Sequence, residues 1–241
     1  MGIRKSIAVC AIALGGTLGG NVQAVTLSGA TVDYSFDDSL LNALFGTFSV
    51  IAGTDTLQFL PLTWLATADS STTPGGGFKI LAAITPLITV SAKTGYTLNG
   101  ISLYERGDYD RVQFDPGNTS YAAAAGQFIV NGDVHQIVAD DVGESDGKLD
   151  HVEIIDPPSG SGATEPWDIE AWSEISGSLA VFQVQNVIKA GIKNNLSAAF
   201  IQKKAIEFSV GTTVVPLPPA AWMLGSALVG LVAVGRRKLN V

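Results

Sequence analysis

The chain has 241 residues, enough for one sizeable domain or two small ones, and a net charge of −8. Residues 1–24 and 215–241 hold no acid, so the stretch between them carries all 22 acids against nine bases. That sign disfavours nucleic acid or anionic lipid as its partner, and no nucleic-acid role is expected.

The chain opens with Arg4 and Lys5, followed by the apolar, small-residue run IAVCAIALGGTLGG and then Val22-Gln23-Ala24. A positive start, a short apolar core and small residues ahead of Val25 predict a secretory signal helix over residues 1–24, removed by signal peptidase after Ala24. Cys10, the only cysteine, lies inside it. The remaining chain forms no disulfide, and at this length it can bury a core without one.

From Val25 to Val214 the pattern is strand-like. In VTLSGATVDYSF, Val32, Tyr34 and Phe36 fall on one face and Asp33 and Ser35 on the other. SLLNALFG suggests a helical turn or two, and TLQFL another strand. FKILAAITPLITVSAK is a long apolar run in which Pro86 implies an edge strand, a bend or two strands. Asn99-Gly100 reads as a hairpin-turn dipeptide, and Asn131-Gly132-Asp133 as the turn between GQFIV and VHQIV. GSLAVFQVQNVIKA alternates, with Ala180, Phe182, Val184 and Ile188 on one side, and AAFIQKKAIEFSVG closes the body. STTPGGG (71–77) and DPPSGSGATEP (156–166) read as loops. Many short strands with glycine-rich turns predict an all-β fold, a single β-sandwich of the jelly-roll or immunoglobulin-like type over residues 25–214.

Three groups of residues could carry chemistry. The stretch 140–156 has seven carboxylates. Glu144, Asp146, Asp150 and Glu153 fall at calcium-loop spacing with Gly147 at the turn, but Val142 occupies the first ligand position and no flanking helices are predicted. The stretch therefore reads first as a solvated acidic hairpin loop, with a looser Ca²⁺ site as the alternative; no other cofactor is expected. Glu105, Asp108, Asp110 and Asp115 form a second acidic group. Carboxylates so close in sequence lack the spacing across a cleft that glycoside hydrolysis needs. Trp167 and Trp172, amid Glu165, Asp168, Glu170 and Glu174, suggest a sugar-stacking platform to which Trp64 could add, although most tryptophans in such a domain belong partly to the core. His135 and His151, the only histidines, have no Gly-x-Ser-x-Gly elbow to serve, and no Cys/His zinc pattern exists.

The tail runs Val215-Pro216-Leu217-Pro218-Pro219, AAWMLGSALVGLVAVG, then Arg236-Arg237-Lys238. The uncharged run would span roughly 24 Å as a helix, somewhat less than a bilayer core of about 30 Å. Trp222 suits the interface and the basic cluster a cytoplasmic flank, so a single C-terminal transmembrane helix is expected. The order of prolines, Trp222, spaced Gly225, Gly230 and Gly235, and Arg236-Arg237-Lys238 resembles the PEP-CTERM sorting signal of Gram-negative bacteria. Leu217 stands in place of the name-giving glutamate, as in a Val-Pro-Leu-Pro form of the signal. The resemblance covers residues 215–241. It implies sorting by an exosortase, passage through the inner membrane, and a setting of exopolysaccharide and biofilm matrix. The reading is of an exported surface or matrix protein that is not an enzyme and has a structural or adhesive role. A carbohydrate-binding module, calcium-assisted or not, and a secreted polysaccharide hydrolase are the alternatives.

Overall fold

The computed structural model describes residues 24–113, 119–141 and 164–216, together with residues 149, 153–154, 223 and 226–228. The strands are β1 (Ala24–Ser28), β2 (Val32–Asp37), β3 (Thr47–Val50), β4 (Thr56–Leu60), β5 (Leu65–Ala68), β6 (Gly77–Ile84), β7 (Ile88–Ala92) and β8 (Tyr96–Gln113). They continue with β9 (Ser120–Val130), β10 (Asp133–Val138), β11 (Asp140–Asp141), β12 (Glu153–Ile154), β13 (Glu165–Gly177), β14 (Leu179–Ile192) and β15 (Ser197–Val214). Two short 3₁₀ turns, Asp38–Leu40 and Ala43–Phe45, form around SLLNALFG, where the Asp37 side chain accepts from Ser39 N and the Asn42 side chain from Leu44 N.

The strands form two antiparallel sheets. The first runs β1-β2-β7-β14-β9-β10, with β6 also on β14. The second runs β11-β13-β8-β15-β4-β3, with β5 on β15 and the short β12 parallel to β8. The all-β expectation therefore holds among the described residues. Here no helix is long and apolar enough to cross a membrane. Met223 and residues 226–228 are helical. The rest of the expected tail helix, and the expected signal helix up to residue 23, lie outside the described residues.

The period-2 pattern decides which side of each strand is buried. Val32, Tyr34 and Phe36 point inward from β2, and Ala180, Phe182, Val184 and Ile188 from β14, all buried. The two inner faces meet through aromatic rings. Phe208 of β15 lies 4.8 Å from Phe182 and 6.0 Å from Phe128 of the opposite sheet, and 6.0 Å from Phe59 on its own. At one end of the sandwich Asp55 ties two turns together. Its carboxylate accepts from Thr31 N at 2.7 Å, and its backbone carbonyl from the Tyr34 hydroxyl at 2.6 Å. Burial, with Asp55 close by, pushes the Tyr34 phenol far above its ordinary range.

Pro86 divides its apolar run into β6 and β7, both laid along β14. A residue without an N–H interrupts the ladder there. The 131–133 hairpin forms as expected, with Asn131 at φ 51° and Gly132 at φ 94°, the left-handed pair that a tight hairpin needs. Asn99-Gly100 is different: no turn forms, and both residues lie inside the continuous 18-residue β8. Gly100 serves close approach instead, since a Cβ there would sit 1.9 Å from the Trp172 ring.

Candidate functional site

The outer face of the second sheet is built by β13, β8 and β15 side by side. Register sets Glu170 beside Tyr104 and Tyr104 beside Glu207; the next row holds Trp172, Ser102 and Ser209. Trp172 is 53 % exposed, its ring lying over Gly100. A depression of about 400 Å³ opens among Trp172, Glu170, Tyr104 and Ser102. A second, also about 400 Å³, lies on the far side of Tyr104, against Arg106, Asp108, Asp168 and Lys204.

The charges around these depressions are largely paired. Lys204 bridges Asp108, and Arg106 Nη2 lies 3.6 Å from Glu207 Oε1, which also accepts from Gln58 Nε2 at 2.8 Å. Glu170 and Trp172 form the open margin. An exposed indole face beside a carboxylate can stack on the apolar face of a sugar ring while the carboxylate accepts hydroxyl hydrogen bonds.

The structure separates the tryptophans that the sequence suggested together. Trp167 and Trp172 are five residues apart on β13, an odd interval, so they point to opposite faces. Trp167 is 1 % exposed and Trp64 fully buried. The platform of several tryptophans therefore does not form; its exposed member is Trp172. Alternation within PWDIEAWSEIS was the available signal, because Trp167, Ile169, Ser173 and Ile175 make the inward row.

The second acidic group is also split by alternation. Glu105 points into the sandwich and is fully buried, while Asp108 and Asp110 share the outer face. Asp115 lies outside the described residues. Of the calcium candidates, Glu144, Asp146 and Asp150 lie outside them too. Glu153 sits in β12, opposite Val112 of β8. No group of metal-ligating residues is found among the described residues. His135 packs its ring 6.1 Å from Phe128. Of the sorting residues, Val215 and Pro216 are described, with Val215 N donating to Gly95 O at 2.8 Å. Leu217, Pro218, Trp222, Arg236, Arg237 and Lys238 lie outside the described residues.

One constellation was missed by sequence reasoning. Lys203, Glu105 and Asn186 are each fully buried between the sheets. Glu105 pairs with Lys203 Nζ through one oxygen and accepts from Asn186 Nδ2 at 2.6 Å through the other. The Trp64 and Trp167 rings flank the lysine nitrogen at 5.1 and 5.6 Å. The signal was a polar residue in phase with an apolar row: Lys203 after Ala199 and Ile201, Glu105 after Ile101 and Leu103, Asn186 between Val184 and Ile188. No family model and no curated protein matches the chain.

Proposed function

We propose that this is an exported bacterial surface or matrix protein, delivered by a signal peptide and sorted by an exosortase. It is held in the inner membrane through its C-terminal helix during transit and then passes to the cell surface or exopolysaccharide. Its role there is structural or adhesive rather than catalytic. The observation that carries this reading is the pairing, at each end of an acidic all-β body, of an uncharged apolar run with a basic cluster and no acid. The last strand of that body stops at Val214, where Val215-Pro216 opens the tail.

The sandwich is read as jelly-roll-like. Nested pairs β8–β15, β9–β14 and β11–β13 alternate between the two sheets, as when one antiparallel ribbon is wrapped over both. The adhesive part of the reading draws on Trp172 and Glu170, the open aromatic and acid on the outer face.

One experiment tests both parts. The full chain is expressed in an exopolysaccharide-producing host with and without its exosortase. With the enzyme, the chain should be shortened at its C-terminus and recovered with the matrix; without it, the chain should stay full length in the inner membrane. Identical length and location in the two hosts would overturn the sorting. A Trp172→Ala chain should be trimmed alike yet hold the polysaccharide about tenfold more weakly, the loss of one stacking contact. Unchanged retention would remove the adhesive role of that face.

A further inference from the structure

Lys203, Glu105 and Asn186 lie on three different strands, β15, β8 and β14, and the last belongs to the opposite sheet. One carboxyl group holds the lysine amine on one oxygen and the asparagine amide on the other, so amine and amide are neighbours across its width. Asn186 Oδ1 is buried with no hydrogen-bond partner. As a plain ion pair this arrangement is a poor stabiliser, because burial of both charges offsets most of their attraction. As a set of reactants it is complete: a nucleophile, an electrophilic carbonyl and a proton carrier, all three fully buried.

We infer that Lys203 and Asn186 become joined by an intramolecular amide bond, formed by the folded protein itself with Glu105 as proton carrier. Glu105 first takes a proton from the Lys203 ammonium, leaving a neutral amine and a carboxylic acid. The Nζ lone pair attacks Asn186 Cγ. The new C–N bond forms while the carbonyl π pair moves onto Oδ1, which takes the proton from Glu105. That transfer requires a prior half-turn of the amide, exchanging Oδ1 and Nδ2 so that the oxygen faces the carboxyl at the attack, and rotation about Cβ–Cγ in the tetrahedral adduct then brings Nδ2 back to it. The positively charged Nζ returns a proton to Glu105, which passes it to Nδ2. The Cγ–Nδ2 bond then breaks, ammonia leaves, the carbonyl re-forms, and the hydroxyl proton goes back to Glu105. An ammonium, a carboxylate and a carboxamide thus become a secondary amide, a carboxylic acid and ammonia, with no oxidant or cofactor.

The surroundings favour the first step. Burial pushes the Lys203 ammonium down from its ordinary range, against the opposing pull of Glu105, and so favours the neutral, nucleophilic amine. The Trp64 and Trp167 rings restrict its side chain. The product would tie β15, the strand that leads to the tail, covalently to the opposite sheet. Tension on an anchored C-terminus would then pass into both layers rather than peel one strand away.

The test is peptide mapping by mass spectrometry of the purified full chain after prolonged incubation. The expected product is a branched peptide joining the Asn186 and Lys203 segments, lighter than their sum by one ammonia, with no tryptic cleavage after Lys203. Glu105→Gln and Lys203→Met chains should give the two segments as separate linear peptides. Linear peptides from the wild-type chain, cleaved at Lys203 and carrying an intact Asn186 amide, would overturn the inference and leave an ion pair only. Full crosslinking in the Glu105→Gln chain would overturn the part given to Glu105. The wild-type result decides the bond even where a variant fails to fold, and it does so wherever the protein is exported.

Discussion

Asp69, after β5, is held by a local net of donors. Its Oδ1 accepts from Ser71 Oγ at 2.7 Å, from the Thr72 and Ser71 N–H groups at 2.8 Å each, and from Thr72 Oγ1 at 3.0 Å. These bonds, the Ser71 hydroxyl first, favour the charged form and bring the carboxyl down to about 2. A folded-state value below the unfolded one, about 3.9, contributes stability that is fully present above the unfolded value and is lost as pH falls through the folded one. The stability difference between wild type and Asp69→Asn should therefore be constant above about pH 4 and shrink towards pH 2. Urea unfolding at stepped pH measures it, and a difference independent of pH over that range would refute the assignment. This site could be read from Asp-Ser-Ser-Thr, since such side chains bond backbone N–H groups two residues on.

Two glycines of β8 face opposite ways, and their substitutions should differ accordingly. A Cβ on Gly107 would lie 1.9 Å from the Gln202 carbonyl of β15 and 2.6 Å from the Trp167 ring, whose Nε1 donates to that same carbonyl at 3.2 Å. Backbone in the middle of a sheet cannot yield, so Gly107→Ala should cost about 1–3 kcal/mol in denaturant unfolding. The three atoms nearest a Cβ on Gly100 all belong to the half-exposed Trp172 ring, which can swing into solvent. Gly100→Ala should cost under about 0.5 kcal/mol while altering Trp172 fluorescence. Equal losses would refute this distinction between the two faces. Element by element, β2, β4, β14 and the β9–β10 hairpin were legible from alternation and turn residues. Asn99-Gly100 misled because a hairpin dipeptide and a close-approach glycine share the same letters, and only the indole across the sheet tells them apart.

At the scale of the molecule, Phe208 links the layers, touching Phe182 and Phe128 across the core and Phe59 beside it. Truncation to alanine removes contacts on both sheets and leaves a cavity that neither can fill. Phe208→Ala should cost about 3–5 kcal/mol, with far-UV circular dichroism and tryptophan fluorescence reporting one coincident transition. Separate transitions would mean that the sheets unfold independently and share no core.

The sequence alone determined the strand-rich body, its acidic charge, the hairpin at Asn131-Gly132 and the inward rows of β2 and β14, because alternation follows from the geometry of an extended backbone within one segment. It also carries the terminal segments on which the proposed address rests. Tertiary structure alone decided which polar residues meet. Glu105 lies 81 residues from Asn186 and 98 from Lys203, and they come together only through the pairing of β8 with β15 and the stacking of one sheet on the other. Local pattern places each of these side chains on an inner face, but the choice of neighbouring strand and its register depends on packing summed over the whole core.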